Sequence, residues 1–135
     1  MVQVDVEYNG DLHCTLTHGP SGSKIQTDAP KDNQGKGEYF SPTDLVGAAL
    51  ASCVLTVMGI VAQRKKIDIS GAKARVTKEM ASGPVRRIGK LTVLVTLPKN
   101  LNLQESHLLE TTAKSCPVHK SLHPDVELDL QFHYE

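Results

Sequence analysis

The sequence predicts an α+β fold in which short strands alternate with two helices. Three observations predict this class. The chain opens on alternating apolar and polar residues separated by turn signals, which is the pattern of a strand meander. Residues 45–62 then carry no charge and follow a helix-start signal. Further alternating segments flank a second helical segment, so the predicted order is βββ-α-ββ-α-β with a mostly antiparallel sheet.

The size and charge of the chain define its broad class. Its 135 residues suit a single domain spanning residues 1–135. Fifteen basic and fifteen acidic residues leave no net charge, and no strongly basic patch favours a nucleic-acid partner. Three cysteines are too few for a secreted disulfide scaffold, and the N-terminus lacks the charged and apolar segments of a signal peptide. We therefore expect a cytoplasmic protein.

The N-terminal strands are predicted from their period of two. Asn9-Gly10 is a strong signal for a two-residue hairpin turn, and a second turn follows at residues 19–22. Cys14 lies on the apolar face of the second strand and is predicted to be a core residue, whereas His13 falls on the polar phase. The three predicted strands are residues 2–8, 12–17 and 23–27.

A polar, glycine-rich loop, residues 28–40, leads into the long helix. Loops of this length are usually functional or mobile. Ser41 is the predicted N-cap and Pro42 the first helical residue, with Asp44 three residues after the cap. The helix should run to about Lys65. Because small and polar residues dilute its uncharged stretch, we interpret it as a buried core helix covered on both faces, and a second subunit is the favoured cover.

The C-terminal half is predicted to form two paired strands, a helix and a last strand. The strands 72–80 and 87–97 flank a turn at residues 82–84. Residues 103–114 have the period of an amphipathic helix, which Pro117 cannot extend far. Residues 126–132 alternate again to the end of the chain.

Two cysteines stand out as a possible redox pair. Cys53 lies inside the uncharged helix, and Cys116 opens the segment CPVHKSL, residues 116–122. They lie more than sixty residues apart and neither belongs to a CxxC motif, so only the fold can bring them together. In this reading one thiol attacks an oxidant and the other resolves the product as a disulfide. The competing interpretation makes Cys53 a small buried core residue.

The chain resembles the OsmC/Ohr family of thiol-dependent peroxidases over nearly its whole length. The resemblance is carried by FSPTDLVGAALASC, residues 40–53, and by CPVHKSL. It implies an intertwined homodimer with central helices between two sheets. It also implies a peroxidatic Cys53, a resolving Cys116 and the reduction of organic hydroperoxides to alcohols. The reductant would be a dithiol, typically lipoyl in character, and no cofactor or metal is implied.

The sequence departs from the family where the cysteine is activated. The family uses an arginine from the N-terminal region held by a glutamate at the helix start. Here no arginine precedes Arg64, and Thr43 stands at the glutamate position, with Asp44 about 100° further round the helix. The residues that remain as possible activators are Asp44, Thr43, Lys24, Lys31, Lys36 and His18. An apolar substrate pocket would be lined by Phe40, Leu45 and Met58.

The sequence is also compatible with three other functions. A non-enzymatic dimer that binds a small apolar or thiol ligand is the main alternative, because the usual activating residues are missing. A persulfide carried on the cysteines is a second. The third is a zinc site, since the spacing of Cys116, His119 and His123 is similar to that of zinc ligands.

Overall fold

The computed structural model describes residues 1–135 and confirms the α+β class. Two compact units make up the chain, Met1–Val46 and Gly47–Glu135, and each is described by itself. The prediction of one domain over residues 1–135 stays a prediction. The predicted element order holds, with one addition: a short helix begins at Pro117, where the sequence predicted only that the preceding helix ends.

The first unit is built on an antiparallel sheet in the order β1-β2-β3. Cross-strand pairing of Val6 with Leu16 and of Leu16 with Ile25 places these apolar residues on one face. Several apolar side chains of this face stay exposed in the single chain, among them Val6 (61%) and Tyr8 (63%). The strands are β1 (Val4–Gly10), β2 (His13–His18) and β3 (Lys24–Asp28).

The first hairpin turn lies two residues later than predicted. The pairing of β1 with β2 is irregular at the residues from Tyr8 to Gly10 of β1. The turn is therefore formed by Asp11 and Leu12 instead of Asn9-Gly10. Both turn residues have positive φ, 53° and 64°, as a two-residue hairpin turn of this hand requires. His13 is the first residue of β2, and the pairing of β2 with β3 places it directly opposite Asp28.

The loop between β3 and the long helix is closed and hydrogen-bonded. A short 3₁₀ helix, Lys31–Asn33, lies within it, and a bridge between Thr27 and Phe40 closes its ends. Gly35 is required because a Cβ there would lie 1.7 Å from the carbonyl oxygen of Ala29. Contacts between its own residues therefore hold this loop closed.

The long helix α1 (Pro42–Lys65) begins as the sequence predicts. The Asp44 N–H donates to Ser41 Oγ (3.0 Å) and the Ser41 N–H donates to Asp44 Oδ2 (2.9 Å), which forms a reciprocal cap. One stripe of the helix is completely or almost completely buried: Leu50, Val54, Met58 and Ala62.

The opposite stripe of α1 is exposed in the single chain although it carries no charge. It contains Ala49, Ser52, Thr56 and Ile60. By length and composition alone this helix could cross a membrane, with 33% of its most apolar window buried inside the structure, but a core helix of a soluble protein passes the same test. The single chain therefore covers one face of α1 and leaves the other uncovered.

A mixed sheet organises the second unit. The order is β4-β5-β6, with β4 and β5 antiparallel and β5 and β6 parallel. Alternate residues of the central strand, from Leu91 to Leu97, are buried beside the inner stripe of α1, together with Leu109 and Ala113. The elements are β4 (Lys73–Met80), β5 (Ile88–Leu97), α2 (Leu103–Ala113), α3 (Pro117–Ser121) and β6 (Glu127–Tyr134).

A hydrogen bond connects α2 to the edge strand β6. The hydroxyl group of Tyr134 donates to the carboxylate of Glu110, which lies 24 residues earlier in the chain. Burial, followed by this bond and the charge of Glu110, raises the pKa of Tyr134 to about 12. The contact holds the helix that precedes Cys116 against the sheet.

We expect Tyr134→Phe to lower the free energy of unfolding by about 1–2 kcal/mol at neutral pH, because a bond to a charged acceptor is lost. The effect should shrink at high pH. The unfolded tyrosine ionises near its ordinary pKa of 10.0 and the folded one near 12, so the wild type loses stability as the pH rises through this interval.

Urea unfolding of both proteins at several pH values measures this difference, with Tyr39→Phe as a control because Tyr39 is half-exposed. A constant difference between wild type and Tyr134→Phe from pH 8 to roughly pH 11.5 would contradict the assignment.

Candidate thiol site

Cys53 lies in the middle of α1, far from both helix ends. It is half-buried and packs against the core of the second unit. No charged residue lies between Asp44 and Arg64 along the helix, so α1 itself places no ionic side chain beside the sulfur. The helix N-terminus is eleven residues away and its dipole is weak at this distance. Any activating charge must therefore come from another element.

Cys116 is the N-cap residue of α3 and is completely buried. Pro117 occupies the first helical position, where its missing N–H costs nothing. The Cys116 side chain makes no cap hydrogen bond of normal geometry. The nearby backbone N–H groups of His119 and Val118 nevertheless lower the pKa of its thiol by stabilising the ionised form. The Cys-Pro sequence thus directs a thiol toward free backbone N–H groups inside the core.

The fold brings Cys53 and Cys116 close enough for Cys53 to influence the ionisation of Cys116. Burial raises the pKa of the Cys116 thiol, and a hydrogen bond to Cys53 and the charge of Cys53 raise it further. The N–H groups of His119 and Val118 offset only part of this rise. Cys116 consequently keeps its proton at neutral pH, with its thiol beside that of Cys53. Both cysteines are free thiols.

This arrangement supports two-thiol redox chemistry. Cys53 is the more accessible sulfur, whereas Cys116 is shielded and protonated. A reagent that reaches the site from solvent meets Cys53 first, and the adjacent Cys116 can attack the product without a large movement. Cys14, the third thiol, belongs to the first unit, where it pairs with Tyr8 on the apolar sheet face.

The residues predicted as activators all belong to the first unit. Thr43 and Asp44 lie in the first turn of α1, and the carboxylate of Asp44 accepts the Ser41 N–H of the helix cap. His18 ends β2, with its Nδ1 2.6 Å from Ser21 Oγ. Lys24 begins β3, Lys31 begins the 3₁₀ helix and Lys36 lies in the loop, all three exposed. Their roles as activators remain predictions.

The residues predicted to line a substrate pocket differ in their exposure. Met58 is completely buried in the core of the second unit. Phe40 is 55% exposed at the end of the closed loop, and Leu45 is half-buried in the first turns of α1. The pocket remains a prediction.

The zinc-like spacing of Cys116, His119 and His123 is not matched by a cluster in the structure. His123 is exposed and its Nδ1 accepts the N–H of Asp125. His119 Nδ1 is buried without a hydrogen-bond partner. The group that could hold a metal ion is instead His13, Asp28 and Glu38, in the first unit. The sequence did not reveal this cluster because Glu38 approaches His13 only through the fold of the closed loop, which no local pattern predicts.

The chain matches the model of one protein family. The model, described as OsmC-like protein, matches residues 35–131, which include α1 with Cys53 and α3 with Cys116. No curated protein matches the sequence.

Several solved structures share the fold. One is a protein from Psychrobacter arcticus, provisionally described as an osmotic stress induced and detoxification response protein. It is 46% identical, with a TM-score of 0.93 over 98% of this chain and 96% of that one. An organic hydroperoxide resistance protein OsmC from Legionella pneumophila is 17% identical, with a TM-score of 0.78 over 98% and 96%. The organic hydroperoxide resistance protein OhrB of Bacillus subtilis is 20% identical, with a TM-score of 0.70 over 98% and 97%.

We expect iodoacetamide to label Cys53 at least about tenfold faster than Cys116 in the native, reduced protein, because only a solvated thiolate reacts quickly. Cys53→Ala should lower the pKa of Cys116 by removing the bond and the charge of its partner. It should nevertheless leave Cys116 slow, because burial is the larger cause.

Quantitative peptide mass spectrometry over a time course measures both rates, and unfolding in urea provides the control in which all three cysteines react alike. Equal labelling of Cys53 and Cys116 in the folded protein would contradict this description of the site.

Proposed function

Because the chain belongs to the OsmC-like protein family, we propose that it is a thiol-dependent peroxidase that reduces organic hydroperoxides to alcohols. The observation that carries the proposal is the pairing of an accessible Cys53 with a buried, protonated Cys116. The names of the Legionella and Bacillus proteins, which refer to organic hydroperoxide resistance, support the same substrate class.

The first step is attack by the Cys53 thiolate on the peroxide. The sulfur bonds to one oxygen of R–O–O–H as the O–O bond breaks, giving Cys53 sulfenic acid and an alkoxide that takes a proton to become the alcohol. The sulfur is oxidised by two electrons and the peroxide is reduced by two. The burial of the site among apolar side chains favours alkyl hydroperoxides over hydrogen peroxide.

The second step closes the disulfide. Cys116 gives up its proton and its sulfur attacks the sulfenic sulfur, so that the S–S bond forms and water leaves. The proximity of the two thiols in the reduced protein favours this attack. An external dithiol, of the lipoyl type, then restores both thiols by exchange and becomes a cyclic disulfide. Such chemistry suits the cytoplasm, where thiols are kept reduced.

The proposal includes a homodimer. Two surfaces of the single chain are apolar and uncovered: the face of the first sheet around Val6 and Tyr8, and the stripe of α1 around Thr56 and Ile60. Soluble monomers rarely expose apolar patches of this kind. A second copy of the chain would cover them and enclose α1 on both sides.

A ligand-binding dimer without enzymatic activity is the alternative function. It is favoured by the absence of any arginine before Arg64 and by the use of the Asp44 carboxylate in the helix cap. In that case the apolar site would bind a small apolar or thiol molecule and Cys53 would react slowly with peroxides.

We expect one equivalent of cumene hydroperoxide to remove about 2 Da from the reduced protein within seconds, as the Cys53–Cys116 disulfide forms. Cys53→Ser should be unreactive. Cys116→Ser should stop at a sulfenic acid that dimedone captures.

Intact-protein mass spectrometry with tryptic mapping of the disulfide is the measurement, and Cys14→Ser, which lies outside the pair, is the matched control that should react like the wild type. An unchanged mass in the wild type would exclude peroxidase chemistry and favour ligand binding.

We expect the wild type to elute with twice the monomer mass of 14.6 kDa. Ile60→Glu should weaken association by a factor of roughly one hundred or more, because each copy would bury an unpaired charge at a cost of about 3 kcal/mol.

Size-exclusion chromatography with light scattering over a dilution series measures the effect. Val85→Glu is the matched control, because Val85 is also apolar and exposed (67%, against 45% for Ile60) but lies in the turn between β4 and β5. A monomeric wild type, or equal weakening by both variants, would count against the dimer.

A further inference from the structure

We propose that His13, Asp28 and Glu38 form a binding site for a divalent transition-metal ion of the zinc class. The three residues lie within the first unit, and one ligand atom from each falls within 4.8 Å of the others. This site uses none of the thiols of the proposed function and stands independently of it.

The distances suit a single small cation. His13 Nε2 lies 3.2 Å from Glu38 Oε1 and 3.7 Å from Asp28 Oδ2. Ligand atoms at about 2.1 Å from a tetrahedral zinc ion are about 3.4 Å apart. The observed separations lie on either side of this value, so small movements of the half-exposed Glu38 would complete the geometry.

The hydrogen bond of His13 Nδ1 leaves Nε2 available to bind a metal ion. Nδ1 lies 2.7 Å from the backbone carbonyl oxygen of Asp11, which can only accept, so Nδ1 carries the hydrogen. In the neutral ring Nε2 then presents its lone pair to the two carboxylates. A metal-bound histidine typically donates its second nitrogen to a backbone carbonyl in this manner. Tyr39 packs edge-on against the ring, with centroids 5.7 Å apart, and restricts its rotation.

Asp28 supplies an independent observation that indicates a missing ligand. Its side chain is 1% exposed and Oδ2 accepts the Glu38 N–H. The backbone N–H groups of Ala29 and Lys36 also face the carboxylate, but Oδ1 makes no hydrogen bond of normal geometry. Buried carboxylate oxygens are rarely left unpaired because desolvation is costly.

The alternative is an ion pair in which Nε2 also carries a proton. Nε2 lies at hydrogen-bond distance from Glu38 (3.2 Å) but not from the buried Asp28 (3.7 Å), and an imidazolium would supply only one positive charge for two carboxylates. A divalent cation between the three groups balances both carboxylates. It would also fix the closed loop, through Glu38, to the start of β2.

Cobalt(II) titration of the metal-free, full-length protein tests the site. We expect one equivalent to bind, with weak visible bands of nitrogen and oxygen ligation and without the intense near-ultraviolet band of a thiolate ligand. Zinc should displace the cobalt at the same stoichiometry.

Two variants separate ligation from folding. Glu38→Gln changes a half-exposed side chain, and His13→Gln removes the imidazole; each should weaken binding by more than about tenfold, since even groups outside the ligand set change affinity 10–100-fold. His133→Gln is the matched control, because His133 also lies near a carboxylate, that of Glu135, but is exposed and outside the cluster. Its affinity should equal that of the wild type.

Three results would overturn the proposal. The first is no cobalt binding, with His13 found as an imidazolium by NMR. The second is binding that shows only the thiolate band. The third is binding that Glu38→Gln and His13→Gln leave unchanged.

Discussion

The structure depends on the need to cover a 24-residue helix whose central eighteen residues carry no charge. Such a helix is stable in water only when protein surrounds it. One stripe is buried beside β5 and α2, and this burial brings Cys53 toward the thiol of Cys116 on α3. The other stripe stays open in the single chain. The same physical requirement therefore accounts for the thiol pair and for the expectation of a second subunit.

The environment of the two sulfurs divides their roles. Cys116 lies between α2 and α3, directly before Pro117, and burial keeps it protonated. Cys53 is fixed by helix packing and remains partly accessible. The cluster of His13, Asp28 and Glu38 belongs to the other unit and combines a cross-strand pair, His13 and Asp28, with Glu38 of the closed loop. The protein thus carries a pair of thiols in one unit and a cluster of one histidine and two carboxylates in the other.

Local signals predicted most of the fold. The cap at Ser41 and Asp44, the uncharged run and the alternation of β5 each depend on neighbouring residues, and the structure agrees with them to within a few residues. The first hairpin turn was wrong because an irregularity after Tyr8 overrides the Asn-Gly signal, and no local rule reveals this. The approach of Cys53 to Cys116 and the convergence of Glu38 on His13 are tertiary, so the spacing of the residues could not establish either one.

We expect the fold to hold the thiols of Cys53 and Cys116 close enough to form a disulfide. Equilibration of the Cys14→Ser protein in glutathione redox buffers, followed by acid quenching and mass spectrometry, tests it without any peroxide. We expect an intramolecular disulfide as the main oxidised species, with little glutathione attached, because the second thiol displaces glutathione from the first. Stable mixed disulfides on Cys53, with Cys116 still reduced, would contradict it.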